Sequence, residues 1–552
     1  MQTDEVKNGK EAGSGNSGAA AKVKKSGRHI PALLRPGNRL LILTQETFNW
    51  VFTPQLNPLY FLGAITFLLF WVALASGTYL FVLYEMGPTR AYNSVQEITV
   101  NQKYYSGIVR SLHRYSSDGL VLVILVHMVQ VFFSDRFRKY RWVAWVSGAA
   151  ILPVFWLEGV TGYFLVWDEV AQMSAIAIAD IISAMPIMSE PLQRMFVSNS
   201  TITTLLFFIV NYLHLTIPFL VLILAWIHCM RISMPLINPP RQITYAILGS
   251  LLILSLIKPA VSAGPADLSK LVGTVNIDWF FLGIFVAFDA LNLSGAHALY
   301  WGGGAYALFM ALPWLVPDPR RGEEEQQIAA MKQVDVKIDL EKCKGCLLCQ
   351  QACPFEAMHA VNRKDGKAYA TQAELVPAHC SQCGFCVNAC EFGAVSMGQW
   401  NKGTFQEYIS NLFSAKTGTN GDGPPVTMVF ICERSFSLEG VLTEDGARIA
   451  STPEAAAMVI PCIGAISPSL VQHCFDSGAK GVMAIGCRGL DCHYREERRR
   501  LHISKEDGHH KFLVESIEDK RLRIDLVSPL QIEKIMVDID EFNEEAKARV
   551  SA

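Results

Sequence analysis

Cysteine is missing from the first 228 of the 552 residues, and charge is scarce and balanced throughout: 18% of side chains are charged, 48 basic against 50 acidic, for a net charge of −2. No basic field is present to hold nucleic acid, and that class of partner is excluded. No dinucleotide-binding fingerprint occurs either, since the run Gly302 to Gly304 lies inside an apolar stretch and follows no strand. Residues 1–30, rich in Gly, Ala, Ser and Lys, lack the apolar core and cleavage pattern of a signal peptide and are expected to form a disordered tail.

What the sequence has instead is hydrophobic length. Apolar residues make up 51% of it and concentrate in stretches near 59–83, 112–133, 142–166, 202–230, 242–260 and 299–316, each long enough to cross a bilayer, the last only just. A seventh stretch, 279–292, is short and interrupted by Asp289, and is not counted as a crossing. Inside these stretches histidines recur at matched intervals: His113 and His127 in one, His214 and His228 in another, fourteen residues apart in each case. Fourteen helical residues advance about 21 Å and turn about 1400°, within about 40° of whole turns, so both members of a pair lie on one face. Two such helices facing each other offer two bis-imidazole sites, the ligand set of a six-coordinate haem. Glycines repeat the interval, Gly63 with Gly77 and Gly148 with Gly162, and a missing Cβ makes room for a porphyrin. A single intramembrane histidine or glycine more often serves helix packing. Four equal intervals on four successive stretches point to two haems.

These residues sit in motifs that resemble the cytochrome b of respiratory bc and photosynthetic bf complexes. The motifs are Arg110-Ser-Leu-His113-Arg114-Tyr115, Val160-Thr-Gly-Tyr163 followed by Trp167-Asp168, and Asn57-Pro-Leu-Tyr-Phe-Leu-Gly63, within a resemblance over residues 40–317. It implies a homodimer and two b haems, His113 and His214 holding the one nearer the outer face, His127 and His228 the cytoplasmic one, with Arg110 meeting a propionate. Read alone, Arg110 is an interfacial anchor. Photosynthetic members attach an extra haem through a cysteine just before the first-helix glycine; Phe61 stands two residues ahead of Gly63 here, and no covalent haem is expected. The family's Pro-Glu-Trp-Tyr of the outer quinol-oxidation loop becomes Ile277-Asp278-Trp279-Phe280. Asp278 is a candidate acceptor of a quinol proton, or alternatively the start of an interfacial helix.

Of the 14 cysteines, 13 follow the apolar half. Cys343, Cys346, Cys349 and Cys353, then Cys380, Cys383, Cys386 and Cys390, form two C-x2-C-x2-C-x3-C runs, the pattern of a bacterial two-cluster ferredoxin. Tandem runs of four at this spacing set zinc aside. By that resemblance ligation crosses over: Cys343, Cys346, Cys349 and Cys390 hold one [4Fe–4S] cluster, and Cys380, Cys383, Cys386 and Cys353 the other. Glu391 replaces the usual proline. Further on, β-rich runs at 426–431, 457–460 and 481–485 end at or just before Cys432, Cys462 and Cys487. In a parallel α/β sheet the carboxyl ends of strands share one edge, so these three gather there, with Cys492 as a fourth. Such a set suits a [2Fe–2S] cluster; the alternative is a redox-inert core with scattered thiols. Ala484-Ile-Gly-Cys-Arg-Gly-Leu-Asp-Cys-His-Tyr494 and Ile460-Pro-Cys-Ile-Gly464 are similar to the small iron–sulfur (delta) subunit of methanogen hydrogenases that feed heterodisulfide reductase, over roughly 424–545. Ser435 stands where that family often has a further cysteine. Cys229 and Cys474 match no ligand position and are expected to be buried thiols. Cys492-His493 does not complete a covalent haem motif, because four residues separate it from Cys487.

Lys and Arg crowd the N-terminal tail, the connection after the second span (Arg136, Arg138, Lys139, Arg141) and the end of the last (Arg320, Arg321). With six crossings, both termini are expected on the cytoplasmic side of a prokaryote's inner membrane, where thiols stay reduced. The expected fold class is a multidomain membrane protein. Its parts are a tail (1–30), an all-α transmembrane four-helix haem bundle (31–240), two further spans with an outer quinone-site-like loop (241–320), an α+β ferredoxin fold (333–400), a linker (401–423) and an α/β parallel-sheet iron–sulfur domain (424–545). The run Arg495 to Arg500 reads as a solvated helix face, and the tail from about 501 carries no motif.

The expected function is that of a quinone oxidoreductase subunit, active only with partners. Electrons would pass between cytoplasmic clusters, fed by a flavoprotein or heterodisulfide-reductase-like partner, and the quinone pool through two b haems. Clusters of this type usually sit at low potential, which favours flow toward quinone. Two alternatives stand beside it. One is a docking and relay subunit without its own substrate. The other is reverse or bifurcating quinol oxidation, with an outer-side acceptor, drawing on a membrane potential worth about 2.3 kcal/mol per charge per 100 mV.

Overall fold

The computed structural model describes residues 30–138, 141–185, 194, 196, 198–230, 237–273, 276, 278–316, 336–398, 400–414, 424–487, 492, 521–528 and 530–551. The tail before residue 30, Lys139, Ile277, Arg320, Arg321, His493 and the run Arg495 to Arg500 lie outside the described residues. There are two compact units, residues 34–317 and residues 318–552 with the first 33.

The first unit is helical: α1 (Arg35–Leu56), α2 (Leu62–Leu83), α3 (Ala91–Gln96), α4 (Ser106–Phe133), α5 (Trp142–Val166), α6 (Glu169–Ser183), α7 (Thr204–Met230), α8 (Arg241–Ile257), α9 (Gly283–Ala290) and α10 (Gly295–Leu315). Among the described helices, α2, α4, α5 and α7 are long and apolar enough to cross a membrane, which makes this a multi-pass membrane protein. The expected fifth and sixth crossings are α8 and α10, and neither joins those four. Helix α8 has 17 residues, about 26 Å at the helical rise, and α10, although 21 residues long, is diluted by Gly302 to Gly304 and Pro313.

Helix α2 packs along α4, and α5 along α7. The bundle core is one cluster of Ile65, Leu69 and Phe70 from α2, Leu120 and Ile124 from α4, Ile151 and Phe155 from α5, and Ile217 and Val221 from α7. Every one of these positions falls between the two glycines or the two histidines of its own helix, so an apolar layer separates two histidine layers. Helix α5 stops at Trp167, whose backbone is left-handed (φ 54°). Asp168 then caps α6, its Oδ1 accepting from the Ala171 N–H at 2.9 Å, while Oδ2 accepts from the Ala263 N–H at 3.0 Å and ties the segment after α8 to the bundle.

In the second unit, β1 (Val336–Ile338) pairs antiparallel with β4 (Val395–Met397), and β2 (Met358–Asn362) with β3 (Thr371–Leu375); the short helices α11 (Leu348–Ala352) and α12 (Phe385–Ala389) lie between them in sequence. The two cysteine runs are one structure repeated at an offset of 37 residues, as from Cys343 to Cys380. The offset maps α11 onto α12 and left-handed Gly345, Leu347 and Glu356 onto left-handed Gln382, Gly384 and Gly393. It also maps the Ala357 N–H bonded to Cys353 Sγ (3.3 Å) onto the Ala394 N–H bonded to Cys390 Sγ (3.2 Å). Left-handed backbone is costly for Leu347, Glu356 and Gln382 and persists only where surroundings impose it.

The segment expected to be a linker contains a helix, α13 (Lys402–Ser414), which buries Phe405, Ile409 and Phe413. Beyond it, β5 (Thr427–Cys432), β6 (Ala455–Ile460), β7 (Gly481–Cys487) and β8 (Leu522–Val527) form a parallel sheet in the order β6-β5-β7-β8, with α14 (Pro468–Asp476) and α15 (Ile532–Ser551). The last strand and helix lie in the region that carried no motif. One sheet face, with Val429, Ile431, Met483 and Ile485, packs on Ile535, Ile539 and Phe542 of α15. The other, with Met428, Phe430, Val482 and Ala484, shares a core with α13, α14 and the cysteines of both ferredoxin runs. The two cysteine-bearing modules, expected as separate domains, are therefore built on one hydrophobic core.

Candidate redox centres

Each of the four glycines that repeat the interval faces one of the four imidazoles. A Cβ on Gly77 would lie 2.8 Å from His113 Cε1, on Gly148 2.9 Å from His228 Cε1, on Gly162 3.0 Å from His214 Cε1 and on Gly63 3.8 Å from His127 Cε1. Across the bundle, the His113 and His214 rings oppose each other with centroids 6.3 Å apart and planes at 77°. An imidazole nitrogen stands about 2.0 Å from its metal and roughly 1.1 Å from its own ring centre, so two rings sharing one metal have centroids about 6.2 Å apart. The His113 Nδ1–H donates to Ala73 O (2.8 Å) and that of His214 to Glu158 O (3.1 Å), while His228 Nδ1 meets Ser147 Oγ at 3.1 Å. Committing Nδ1 in this way selects the tautomer whose Nε2 is bare and able to bind iron. The donor set and the glycine cradles fit a bis-imidazole haem.

Glu158 escaped the sequence reading. Its Oε1 lies 3.3 Å from His214 Nδ1, and Thr161 Oγ1 is 3.1 Å from the same nitrogen. The available signal was an acidic residue four positions before Gly162, on the glycine face of an apolar helix. Arg110 reaches Ser262 Oγ (2.8 Å), Ala260 O (3.4 Å) and Thr99 Oγ1, anchoring the segment after α8.

Asp278 is buried and does two things at once. Its Oδ1 accepts the Phe280 N–H at 2.8 Å, opening the turn before α9, while Oδ2 takes the Tyr163 hydroxyl (2.6 Å) and Arg114 Nη2 (2.8 Å). The same guanidinium holds Asp118 through Nε at 3.1 Å and lies 4.6 Å from the centre of the Tyr163 ring. Arg114, Asp118 and Tyr163 were not singled out from sequence, although an Arg–Asp pair at i,i+4 inside an apolar helix was there to be read.

The eight cysteines of the two runs lie close to one another. Burial pushes the Cys349 thiol up to about 11, and the neighbours that push it further are Cys390, Cys343 and Cys346. Burial likewise raises Cys386, with Cys383, Cys380, Cys353 and Cys349 adding to the effect. Arg363 braces the first set, donating through Nη1 to Cys343 O (2.6 Å) and through Nη2 to Leu340 O (2.9 Å). Glu391, in place of proline, accepts from Lys402 Nζ at the start of α13.

In the parallel sheet Cys432 and Cys487 end β5 and β7 with their sulfurs 3.8 Å apart. The Cys462 thiol is raised by its hydrogen bond with Cys492 and by burial, with Cys432 adding to the effect. All four are buried and meet at the carboxyl edge, where the chain leaves β6 on one side of β5 and returns as β7 on the other, the place such sheets keep for ligands. Crowded buried thiols resist ionising unless a cation joins them, which suits iron. Cys474 is buried as expected, its thiol pushed up to about 12, whereas Cys229 is only half-buried. Among the described residues no three His, Cys, Asp or Glu close on a single metal ion. Neither a haem iron with two protein ligands nor a cluster with one or two cysteines per iron requires that.

Comparison with known proteins gives three matches along the chain. Residues 48–234 match Cytochrome b/b6/petB, residues 335–391 a 4Fe-4S dicluster domain, and residues 427–548 the delta subunit of methyl-viologen-reducing hydrogenase. Among solved structures, a hyperthermophilic respiratory Complex III is similar at 18% identity and a TM-score of 0.40, over 50% of this chain and 80% of that one. The chain is thus a multi-pass membrane protein with one segment that matches cytochrome b and another that matches a 4Fe-4S dicluster domain, as a membrane electron-transfer subunit would have.

Proposed function

We propose that the protein is the membrane subunit of a quinone oxidoreductase in a prokaryotic inner membrane, exchanging electrons between cytoplasmic iron–sulfur centres and the quinone pool. The observation that carries this is the matching of four glycines to four imidazoles on α2, α4, α5 and α7. His113 and His214 would hold the outer haem and His127 and His228 the inner one. Bis-imidazole haem supplies one-electron transfer and has no open position for oxygen. Cys343, Cys346, Cys349 and Cys390, and Cys353, Cys380, Cys383 and Cys386, would hold two [4Fe–4S] clusters, and Cys432, Cys462, Cys487 and Cys492 a [2Fe–2S] cluster.

Asp278 is the residue for proton exchange with quinol. One guanidinium, Arg114, serves two carboxylates, Asp278 and Asp118. With both carboxylates ionised the trio carries one excess negative charge; a proton taken up by Asp278 removes it and leaves Arg114 paired one-to-one with Asp118. Helices α8 and α10 are taken as further crossings, with both termini cytoplasmic and a flavoprotein or heterodisulfide-reductase-like partner there. Redox titration of the full chain with a quinol analogue tests the scheme. Haem is expected to be reduced by quinol and Asp278→Asn to slow that step; clusters lying well above the haems in potential contradict flow toward quinone. If quinol never reduces the haems without partner subunits and Asp278→Asn is silent in the assembled complex, the docking and relay function replaces this one.

A further inference from the structure

We infer that the seam between Phe385 and Gly464 is an electron-transfer junction. It makes the Cys353, Cys380, Cys383 and Cys386 centre the direct partner of the C-terminal four-cysteine centre, and leaves the Cys343, Cys346, Cys349 and Cys390 centre as the outlet. The inference rests on the iron–sulfur assignment proposed above and adds an order to it.

Phe385 immediately precedes Cys386, and Gly464 follows Cys462 by two residues. A Cβ on Gly464 would lie 2.9 Å from Phe385 Cζ and 3.6 Å from Cys462 Sγ, so ring tip and sulfur are separated by no more than those two lengths together. Next to it, a Cβ on Gly384 would touch Pro461 Cγ at 3.7 Å and Ala465 Cβ at 3.9 Å. The seam is closed by absent side chains on both sides.

The internal repeat supplies the control. Shifted by 37 residues, Phe385 corresponds to Leu348, Gly384 to Leu347 and Cys383 to Cys346. Phe385 is 2% exposed and Cys383 buried, whereas Leu348 is 39% exposed and Cys346 is exposed. Two copies of one motif thus differ where the C-terminal module docks: the second copy carries glycine and a ring inserted at the seam, and the first presents the equivalent surface outward.

Helix α13 clamps the joint. Lys402 pairs with Glu391, one residue past Cys390; Phe405, Ile409 and Phe413 share the core with Leu470 and Val471 of α14; and His473 Nε2 of α14 meets Gln406 O (3.0 Å) and Ser410 Oγ (3.1 Å). Tunnelling decays exponentially with separation, so a dry, rigid, close seam sets the route. One electron leaves one centre, oxidising it, and arrives at its neighbour, reducing it; no proton or further reactant takes part.

The test is electron paramagnetic resonance on the full chain, poised at successive potentials. The power saturation of the C-terminal signal is compared with the ferredoxin centres oxidised and diamagnetic, then reduced. Reduction is expected to speed relaxation of the C-terminal signal. Gly464→Leu should remove that enhancement with both signals retained, Phe385→Ala in the same chain should restore it, and Leu348→Ala should leave it unchanged. A C-terminal signal indifferent to the ferredoxin centres overturns the junction in the unsubstituted protein alone, whatever the variants do. Equal sensitivity to Leu348→Ala and Gly464→Leu overturns the order. Loss of any C-terminal signal in iron-replete protein is a different failure, removing the iron–sulfur assignment itself.

Discussion

Replacing bundle glycines by alanine should not be uniformly harmful, and the differences are set by distances already described. At Gly77 the new methyl would stand 2.8 Å from His113 Cε1 and 3.2 Å from Nδ1. Comfortable carbon contacts begin at about 3.5 Å, so the ring must retreat by roughly 0.7 Å. It cannot do so freely, because its Nδ1–H is committed to Ala73 O at 2.8 Å with Ser76 Oγ at 3.2 Å. Losing that bond in a buried place costs about 1–3 kcal/mol, which at about 1.4 kcal/mol per decade weakens haem retention roughly 5- to 150-fold. At Gly63 the methyl would sit 3.8 Å from His127 Cε1, an ordinary contact. Alanine's helix preference of about 1 kcal/mol acts in both variants and cancels in the comparison. Haem content per chain, from the pyridine haemochrome, should fall toward one half in Gly77→Ala and stay full in Gly63→Ala, with Gly148→Ala and Gly162→Ala close to the former. If the Gly77 and Gly63 variants lose haem equally, or neither does, the cradle argument is wrong.

Glu158→Gln keeps the His214 bond to the backbone oxygen of residue 158 and removes an ionisable carboxyl 3.3 Å from the same nitrogen, an interaction worth about 1 kcal/mol at a pH where that carboxyl is ionised. The potential of the haem proposed at His113 and His214 should then rise by about 40 mV at alkaline pH; potentiometry showing no shift there, or a shift in the other haem, would contradict it. The Arg363 hydrogen bond holds the Asp365 carboxyl down to about 2 from its ordinary 3.8. A depressed carboxylate stabilises the fold above its ordinary value and loses that contribution as pH falls toward 2, so cluster bleaching between about pH 4 and 2 should be flatter in Asp365→Asn; identical acid profiles would refute the linkage. Glu391→Pro restores the residue usual in two-cluster ferredoxins but removes the partner of Lys402. Amide exchange across Lys402–Ser414 should quicken by an opening free energy of about 0.5–1 kcal/mol with both clusters kept, and unchanged protection would show that the pair does not hold α13.

The repeating intervals of glycine, histidine and cysteine are one-dimensional facts, and helix geometry converts each directly into a face or a turn. That is why the shared face of His113 with His127 and of His214 with His228 was legible, although which glycine faces which imidazole was not, and why the parallel strands leading to Cys432, Cys462 and Cys487 could be anticipated. The partners of single residues without a period were not legible. Glu158 reaches His214 only because α5 packs along α7, and Asp278 meets Arg114 and Tyr163 across more than a hundred residues of chain. The 401–423 segment looked like a linker because Gly-rich residues at its end hid the apolar stripe of Phe405, Ile409 and Phe413. Composition and spacing determined by themselves that this chain is apolar, crosses a membrane and offers ligands for haem and iron–sulfur centres. Tertiary structure alone decided which copy of the cysteine motif packs on the C-terminal module, because the fate of Phe385 and Leu348, equivalent in the repeat, depends on whether a distant glycine, Gly464, is there to receive the side chain.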